Sequence, residues 1–318
     1  MREFIIQKND AGQRLDRFLL KAVPLLPASL AQKYIRLKRI KVNGARAERD
    51  YRLCEGDALQ LYINDEFFEA PNEENVYLTI AAPRLHIIYE DENLMLLDKP
   101  AGMVVHADES ERVNTLVNHM LAYLYQKREW KPREENAFTP ALCNRIDRNT
   151  GGIVIAAKNA EALRILNEKI RERELSKFYL CICLGRPEPP KGRIECFLRK
   201  DERTNTVRVY HHPVPDGRSA VTLYETLETR DRLSLVEVEL LTGRTHQIRA
   251  SFADLGHPLL GDGKYGVGSV NRRFGETQQA LYSYRLRFDL PTDAGILNYL
   301  RGREFIADEV PFRRRYFG

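Results

Sequence analysis

Leu142-Cys143-Asn144-Arg145-Ile146-Asp147-Arg148-Asn149-Thr150-Gly151-Gly152-Ile153-Val154-Ile155-Ala156-Ala157-Lys158 sets a carboxylate between two arginines and then turns into an apolar run. Ile153 to Ala157 is short, uniformly apolar and rich in β-branched side chains, the pattern of a strand buried on both faces, and Gly151-Gly152 supplies a backbone bend at its entrance. Asp147 is therefore expected on a tight loop at the mouth of a sheet. Positive charge nearby favours the ionised carboxylate, which suits Asp147 to act as a nucleophile or base and not as a general acid. Local chemistry alone also fits an Asp that anchors a turn through Thr150 and the backbone.

The chain of 318 residues is long enough for two domains, and 43% hydrophobic with 30% charged residues is ordinary for a globular protein. No apolar run approaches the roughly 20 residues that a membrane span needs. The start, Met1-Arg2-Glu3-Phe4-Ile5-Ile6, lacks the apolar core of a signal peptide, so a cytoplasmic location is expected. The five cysteines (54, 143, 181, 183 and 196) form no CxxC pair and are expected as reduced thiols. His211-His212 has no Cys or carboxylate at ligand spacing, and no metal is expected.

The net charge of +5 is unevenly spread: residues 1–63 hold 13 Lys+Arg against 7 Asp+Glu, whereas 64–82 hold five acids and no Lys or Arg. A basic module, 1–63, followed by an acidic linker, 64–82, and a larger domain, 83–318, is expected. Within the module, Gly12 to Leu20 has helical apolar spacing, and Pro24 and Pro27 should end that helix. Ser29 is placed as the N-cap of a second helix over 30–39, on which Lys33, Arg36 and Arg39 share one face at three-residue spacing. A basic helical face suits RNA phosphate, although such faces are also often merely solvated.

Beyond Pro83, His86-Ile87-Ile88-Tyr89 and Leu94 to Asp98 pattern as a hairpin, Thr115 to Tyr125 as a helix capped by Asn114, and 126–140 as a polar loop near the site. Ala160 to Arg173 is expected as a helix and Phe178 to Leu184 as a strand. A basic, Pro-containing stretch runs from there through His212. Ser219–Glu228 and Leu233–Leu241 are strands with partial alternation, the sign of antiparallel pairing, and Leu241 to Arg249 turns from strand into helix. Strands outnumber helices, and the βαβ alternation of a doubly wound fold is missing. The expected class is α+β, a predominantly antiparallel mixed sheet with helices and loops flanking a central cleft, preceded by a small α/β module.

Two sets of motifs carry a resemblance. Arg14-Leu15-Asp16, Val42-Asn43-Gly44 and Gly56-Asp57 make residues 1–63 similar to the small S-four-type RNA-binding module; Leu30 and Lys38 depart from it where a basic residue and Gly are frequent. Asp98-Lys99-Pro100-Ala101-Gly102, Asn144-Arg145-Ile146-Asp147, Lys177-Phe178-Tyr179, Gly243-Arg244-Thr245-His246-Gln247-Ile248-Arg249 and Gly256-His257-Pro258 with Gly261-Asp262 resemble the RluA-type RNA pseudouridine synthases. Asn144 replaces that family's His and Gly151 its Ser. Neither is the nucleophile.

The resemblance implies isomerisation of uridine in structured RNA without metal, redox cofactor or nucleotide, by a monomer. Large-subunit ribosomal RNA is the preferred substrate and transfer RNA the alternative. It makes Asp147 the catalytic carboxylate, Tyr179 the base-stacking ring, and Arg145 the side chain that fills the gap left by a flipped uridine. Arg249, in preference to Arg244, is expected to pair with Asp147; Arg244, His246 and Gln247 would bind substrate, and Lys33, Arg36 and Arg39 would hold RNA backbone. Without the joint pattern, Tyr179 is expected in a core, His246 and Gln247 as helix caps, and the glycines of 256–266 as turns. Two other readings are a non-catalytic RNA-binding or chaperone protein on the same fold, and a phosphodiesterase using Asp147 and His246, which lacks a carboxylate cluster for a metal.

Overall fold

The computed structural model describes residues 1–318 apart from 24, 25, 27, 64, 69–71 and 133. The expected helix stop at Pro24 and Pro27 lies outside the described residues. The chain forms two compact units, one of Met1–Pro83, Asn118–Ala141 and Ala157–Arg164, the other of Arg84–Val117, Leu142–Ala156 and Ile165–Gly318.

In the first unit, strands β1 (Arg2–Ile5), β2 (Ile40–Val42), β3 (Ala45–Arg46) and β4 (Ala58–Leu61) form a sheet in the order β1-β4-β2-β3, covered by helices α1 (Leu15–Ala22) and α2 (Ala28–Arg36). Leu15, Phe18 and Leu19 of α1 and Ala31, Tyr34 and Ile35 of α2 are buried against Ile40, Leu59 and Leu61. Each such Leu, Ile or Phe contributes about 1.5–3 kcal/mol through burial. The Asn-Gly and Gly-Asp motifs meet in space. Asn43 and Gly44 take left-handed φ of 52° and 76° in the turn between β2 and β3, and Asn43 Nδ2 donates to Asp57 at 2.7 Å while its Oδ1 accepts the Ala58 amide. Burial of Asp57 opposes ionisation, but the Cys54 amide, Asn43 and Tyr51 outweigh it and hold the carboxyl below its usual range.

Three expectations for this unit change. Helix α2 begins at Ala28, so Ser29 is inside its first turn and is not the N-cap. It ends before Lys38, whose φ of 59° occupies the left-handed position usually given to glycine, with Lys38 N donating to Ile35 O and Arg39 N to Tyr34 O. Arg39 therefore leaves the helical face of Lys33 and Arg36, and its guanidinium lies 5.3 Å from the Tyr34 ring. Finally, the acidic stretch is not a bare linker: Phe67 and Phe68 pack on the module core, and Tyr77 is buried against Trp130 with ring centroids 5.1 Å apart. The polar segment expected near the site is held here as well, with Asn136 Nδ2 donating to Ile5 O and Asp10, and Asn9 to Glu135.

The second unit is built on an eleven-stranded sheet. Its strands are β5 (Ile87–Glu90), β6 (Leu94–Lys99), β7 (Ala141–Leu142), β8 (Gly151–Ala157), β9 (Leu175–Leu184), β10 (Lys191–Asp201), β11 (Thr206–Tyr210), β12 (Arg218–Arg230), β13 (Leu233–Leu240), β14 (Leu281–Phe288) and β15 (Glu304–Ile306). The main order is β11-β10-β12-β13-β9-β14-β8-β6-β5. Pairing is antiparallel from β11 through β14, and β8 joins β14 in parallel at Gly151 and Gly152. Every residue of β8 is buried. Gly152 has φ of 112°, and a Cβ there would meet Ser283 O at 2.2 Å, so two backbones approach as only glycine allows. The basic stretch after β9 turns out to be a hairpin, β10–β11, whose exposed charged residues alternate with covered ones.

Helices α3 (Leu116–Gln126) and α4 (Ala160–Arg171) have residues in both units, and α5 (Gln247–Asp254) belongs to the second. The first starts two residues beyond Asn114, the expected cap. Tyr179, Cys181 and Cys183 alternate onto one face of β9 with Val236, Val238, Ile248 and Leu281, and Ile146 packs on that face, which lays the Asp147 loop over the sheet.

Candidate active site

The loop before β8 turns through a Thr150 N to Asp147 O hydrogen bond and is held from behind by Lys99. Lys99 is completely buried, and its Nζ donates to Arg148 O at 2.9 Å, Met103 O at 2.8 Å and Pro100 O at 3.0 Å. Burial pushes its ammonium down to about 7, against the pull of Asp147. Asn144 accepts the Ile155 amide at 2.8 Å, so the residue standing in place of the family's His braces the loop against β8. A side chain at Gly151 would strike Tyr282, whose ring lies 2.4 Å from the Cβ position and whose hydroxyl donates to Asp98 at 2.6 Å. The missing Ser is thus matched by a tyrosine filling its place.

The arginines beside Asp147 do not pair with it. Arg148 turns away to Asp108 at 3.0 Å and to Ser110, and Arg145 stands exposed in the cleft with no partner among the described residues. Asp147 Oδ2 is instead bonded by Arg249 Nη1 at 2.7 Å. Arg249 sits in the first turn of α5, and its Nε and Nη2 grip both oxygens of Asp262 at 2.7 and 2.9 Å. Asp262 is inaccessible and the Arg249 side chain is 6% exposed, whereas that of Asp147 is 26% exposed. This is a graded chain from a buried carboxylate, through a cation, to a carboxylate that reaches solvent. Burial alone would lower the basicity of Arg249, but Asp262 and Asp147 raise it and keep it charged. Asp147 Oδ1 has no partner among the described residues.

Tyr179 lines the same cleft, and burial pushes its hydroxyl up to about 12, so it stays neutral. His246 precedes α5 with a left-handed φ of 51°, which turns its ring so that Nε2 is 3.8 Å from Asp147 Oδ2. Burial holds it below the usual histidine range in spite of that carboxylate. Arg244 donates Nε to Ser219 O and is not the Asp147 partner.

Gln247 is bonded as a strut within its own unit. Its Oε1 accepts Thr242 Oγ1 and the Arg244 amide, and its Nε2 donates to Val221 O and Thr222 Oγ1, which uses all four of its bonds. Lys33, Arg36 and Arg39 are exposed in the first unit. Lys99, Asp262, Tyr265 and Lys264 also belong to the site, although sequence reasoning did not single them out as functional. The acid in Gly261-Asp262, beside the arginine-rich third motif, was the available signal.

The cleft has a volume of about 1210 Å³. Its lining includes Arg145, Arg171, Arg173, Lys177, Lys200, Arg244 and Lys264, against two carboxylates, Asp108 and Asp147. Among the described residues no three His, Cys, Asp or Glu side chains converge as a metal site, and His211 pairs with Asp254 at 3.1 Å.

Residues 93–254 match the RNA pseudouridylate synthase family model and 13–59 the S4 domain. An uncharacterized RNA pseudouridine synthase of Mycoplasma genitalium is 32% identical over 289 residues, 90% of this chain and 88% of that protein. The chain belongs to the RNA pseudouridine synthase family. The ribosomal large subunit pseudouridine synthase C of Vibrio parahaemolyticus is 30% identical over 293 residues, 91% of this chain and 88% of its own length. The fold is also that of human RNA pseudouridylate synthase domain containing 4, with a TM-score of 0.57 at 21% identity over 75% of this chain and 94% of that one. As a pseudouridine synthase with an S4 domain, this protein has the α+β architecture and RNA-directed chemistry expected from its motifs. Among the described residues no helix is long and apolar enough to cross a membrane.

Proposed function

We propose that this synthase isomerises specific uridines of structured large-subunit ribosomal RNA, with Asp147 as the catalytic carboxylate. The observation that carries the reading is the Asp147 carboxylate in a cationic cleft, one oxygen held by Arg249 on Asp262 and the other without a protein partner among the described residues. Arg249 pairs with Oδ2, and Oδ1 is the atom available for reaction.

The isomerisation breaks the bond from the sugar to a ring nitrogen, turns the uracil, and joins the same sugar carbon to a ring carbon. No atom or electron enters from outside. Oδ1 can attack the anomeric carbon or the ring, or remove a sugar proton to start an elimination; each begins from an ionised, accessible carboxylate. A uridine within folded RNA must first leave its stack, at a cost of a few kcal/mol. Stacking on Tyr179 returns roughly 1–3 kcal/mol, and Arg145, exposed and without a partner among the described residues, is suited to occupy the vacated space. Cationic side chains around the cleft and on the S4 domain supply backbone affinity without reading sequence. The relatives named for the ribosomal large subunit support that RNA as the substrate.

The test is to incubate the protein and Asp147→Asn with unmodified ribosomal and transfer RNA transcripts and map pseudouridine by carbodiimide-dependent stops. New stops in large-subunit RNA from the wild type alone are expected. Stops confined to transfer RNA would reassign the substrate, and stops from Asp147→Asn would remove Asp147 from the chemistry.

A further inference from the structure

Tyr265 is linked to the Asp147 carboxylate through His246. Its hydroxyl accepts the Val207 amide at 2.7 Å and lies 2.8 Å from His246 Nδ1, whose Nε2 faces Asp147 Oδ2 at 3.8 Å. Val207 belongs to β11, the last strand of the sheet, so the amide that reaches Tyr265 points out from the edge of the ladder. The Val207 N–H can only donate. A phenol has a single proton, and Nδ1 is the acceptor within hydrogen-bonding reach of this half-buried hydroxyl among the described residues, so an Nδ1–H in its place would leave the phenol proton without a protein acceptor. Tyr265 is therefore the donor and Nδ1 the acceptor, which leaves the ring proton of neutral His246 on Nε2. The carboxylate leads to the same assignment independently. A bare Nε2 lone pair 3.8 Å from Asp147 Oδ2 would be repelled, whereas an N–H there is attracted.

We infer that Tyr265, anchored by the β10–β11 hairpin through the Val207 amide, is a positioning residue that holds His246 as the Nε2–H tautomer facing Asp147. His246 then offers a neutral donor beside the carboxylate or to a uracil carbonyl lying over it. The other tautomer would present a lone pair at the same place. The significance for turnover rests on the proposed reaction of Asp147; the tautomer itself does not.

The experiment has two arms. In protein labelled with ¹⁵N-histidine and free of RNA, long-range ¹H–¹⁵N correlation reads the His246 tautomer, with His246→Gln identifying the signal. The Nε2–H form is expected in the wild type, and Tyr265→Phe, which keeps the ring over Arg249, should lose the preference. A wild-type Nδ1–H form, or an unchanged tautomer in Tyr265→Phe, overturns the assignment whatever the enzyme does to RNA. In the kinetic arm, Tyr265→Phe should lower kcat about tenfold, the scale of one hydrogen bond, with KM unchanged. In a His246→Gln background, where the amide supplies its own fixed N–H, the same change should have no further effect. Equal losses in both backgrounds would show that Tyr265 acts through Arg249 or the hairpin and overturn the inference.

Discussion

Lys99 shows how far a residue's setting can depart from its place in a motif. The Asp98-Lys99-Pro100 turn identifies it, but only folding encloses its ammonium behind the Asp147 loop with three carbonyl acceptors. Its ammonium titrates at about 7 when folded and at about 10.4 in an unfolded chain. Between those values the unfolded chain binds more protons, so this residue makes stability rise with pH across that window. Lys99→Met should lack the rise: urea unfolding at about pH 7 and about pH 9 should show the wild type gaining on the variant. A constant difference between the two would contradict the buried, weakened ammonium. Asp147 and Arg249 were legible as a pair because both lie in motifs with a known relation. The diversion of Arg148 to Asp108 and the saturation of Gln247 were not, since both depend on residues distant in sequence.

Elements are where departures from the family pattern find their compensation. Gly151 opens β8, and Tyr282 of β14 occupies the room that a side chain there would need. Gly151→Ser should therefore cost about 1–3 kcal/mol by overpacking. The loss should be smaller when Tyr282 is first changed to Ala, and thermal unfolding of the four proteins of that cycle checks it; additive losses would mean that the two sites do not collide. In the S4 domain the α2 face is narrower than three-residue spacing suggested, because the chain leaves the helix at Lys38. Lys33→Ala with Arg36→Ala should reduce the slope of log affinity against log salt by roughly 0.7–0.9 for each phosphate that the pair neutralises. Arg39→Ala should reduce affinity independently of that pair. Filter binding over a salt series measures both, and an unchanged slope would remove the α2 face from RNA binding. The β10–β11 hairpin was not legible in the sequence because its charged residues draw the eye, although Lys191, Arg193 and Glu195 alternate with the covered Gly192, Ile194 and Cys196.

At the scale of the whole molecule, the order of the chain is not the order of its units. Residues 118–141 and 157–164 join the S4-containing unit, where Asn136 and Glu135 bond the loop after β1 and Arg164 Nη1 donates to Ala11 O. A cut at Pro83 strips these segments of their partners. The chain from Arg84 onward should melt well below the intact protein, with polar groups such as Asn136 and buried Trp130 newly exposed. Calorimetry of both chains is the check, and equal melting temperatures would restore the picture of a module on a passive linker.

The sequence by itself determined the arrangement of motifs: their spacing specified a carboxylate loop entering a buried strand, a tyrosine on the next long strand of the chain and an arginine opening a helix. It also determined the class of fold, because apolar periodicity and glycine at close backbone approaches are properties of short segments. Tertiary structure alone decided that Arg148 turns to Asp108, which side chains are struts, and which segments make up each unit. Those outcomes depend on distances between residues far apart in the chain, and on burial, which turns an ordinary lysine into a weak base and makes Asp262 the anchor of the Arg249–Asp147 pair.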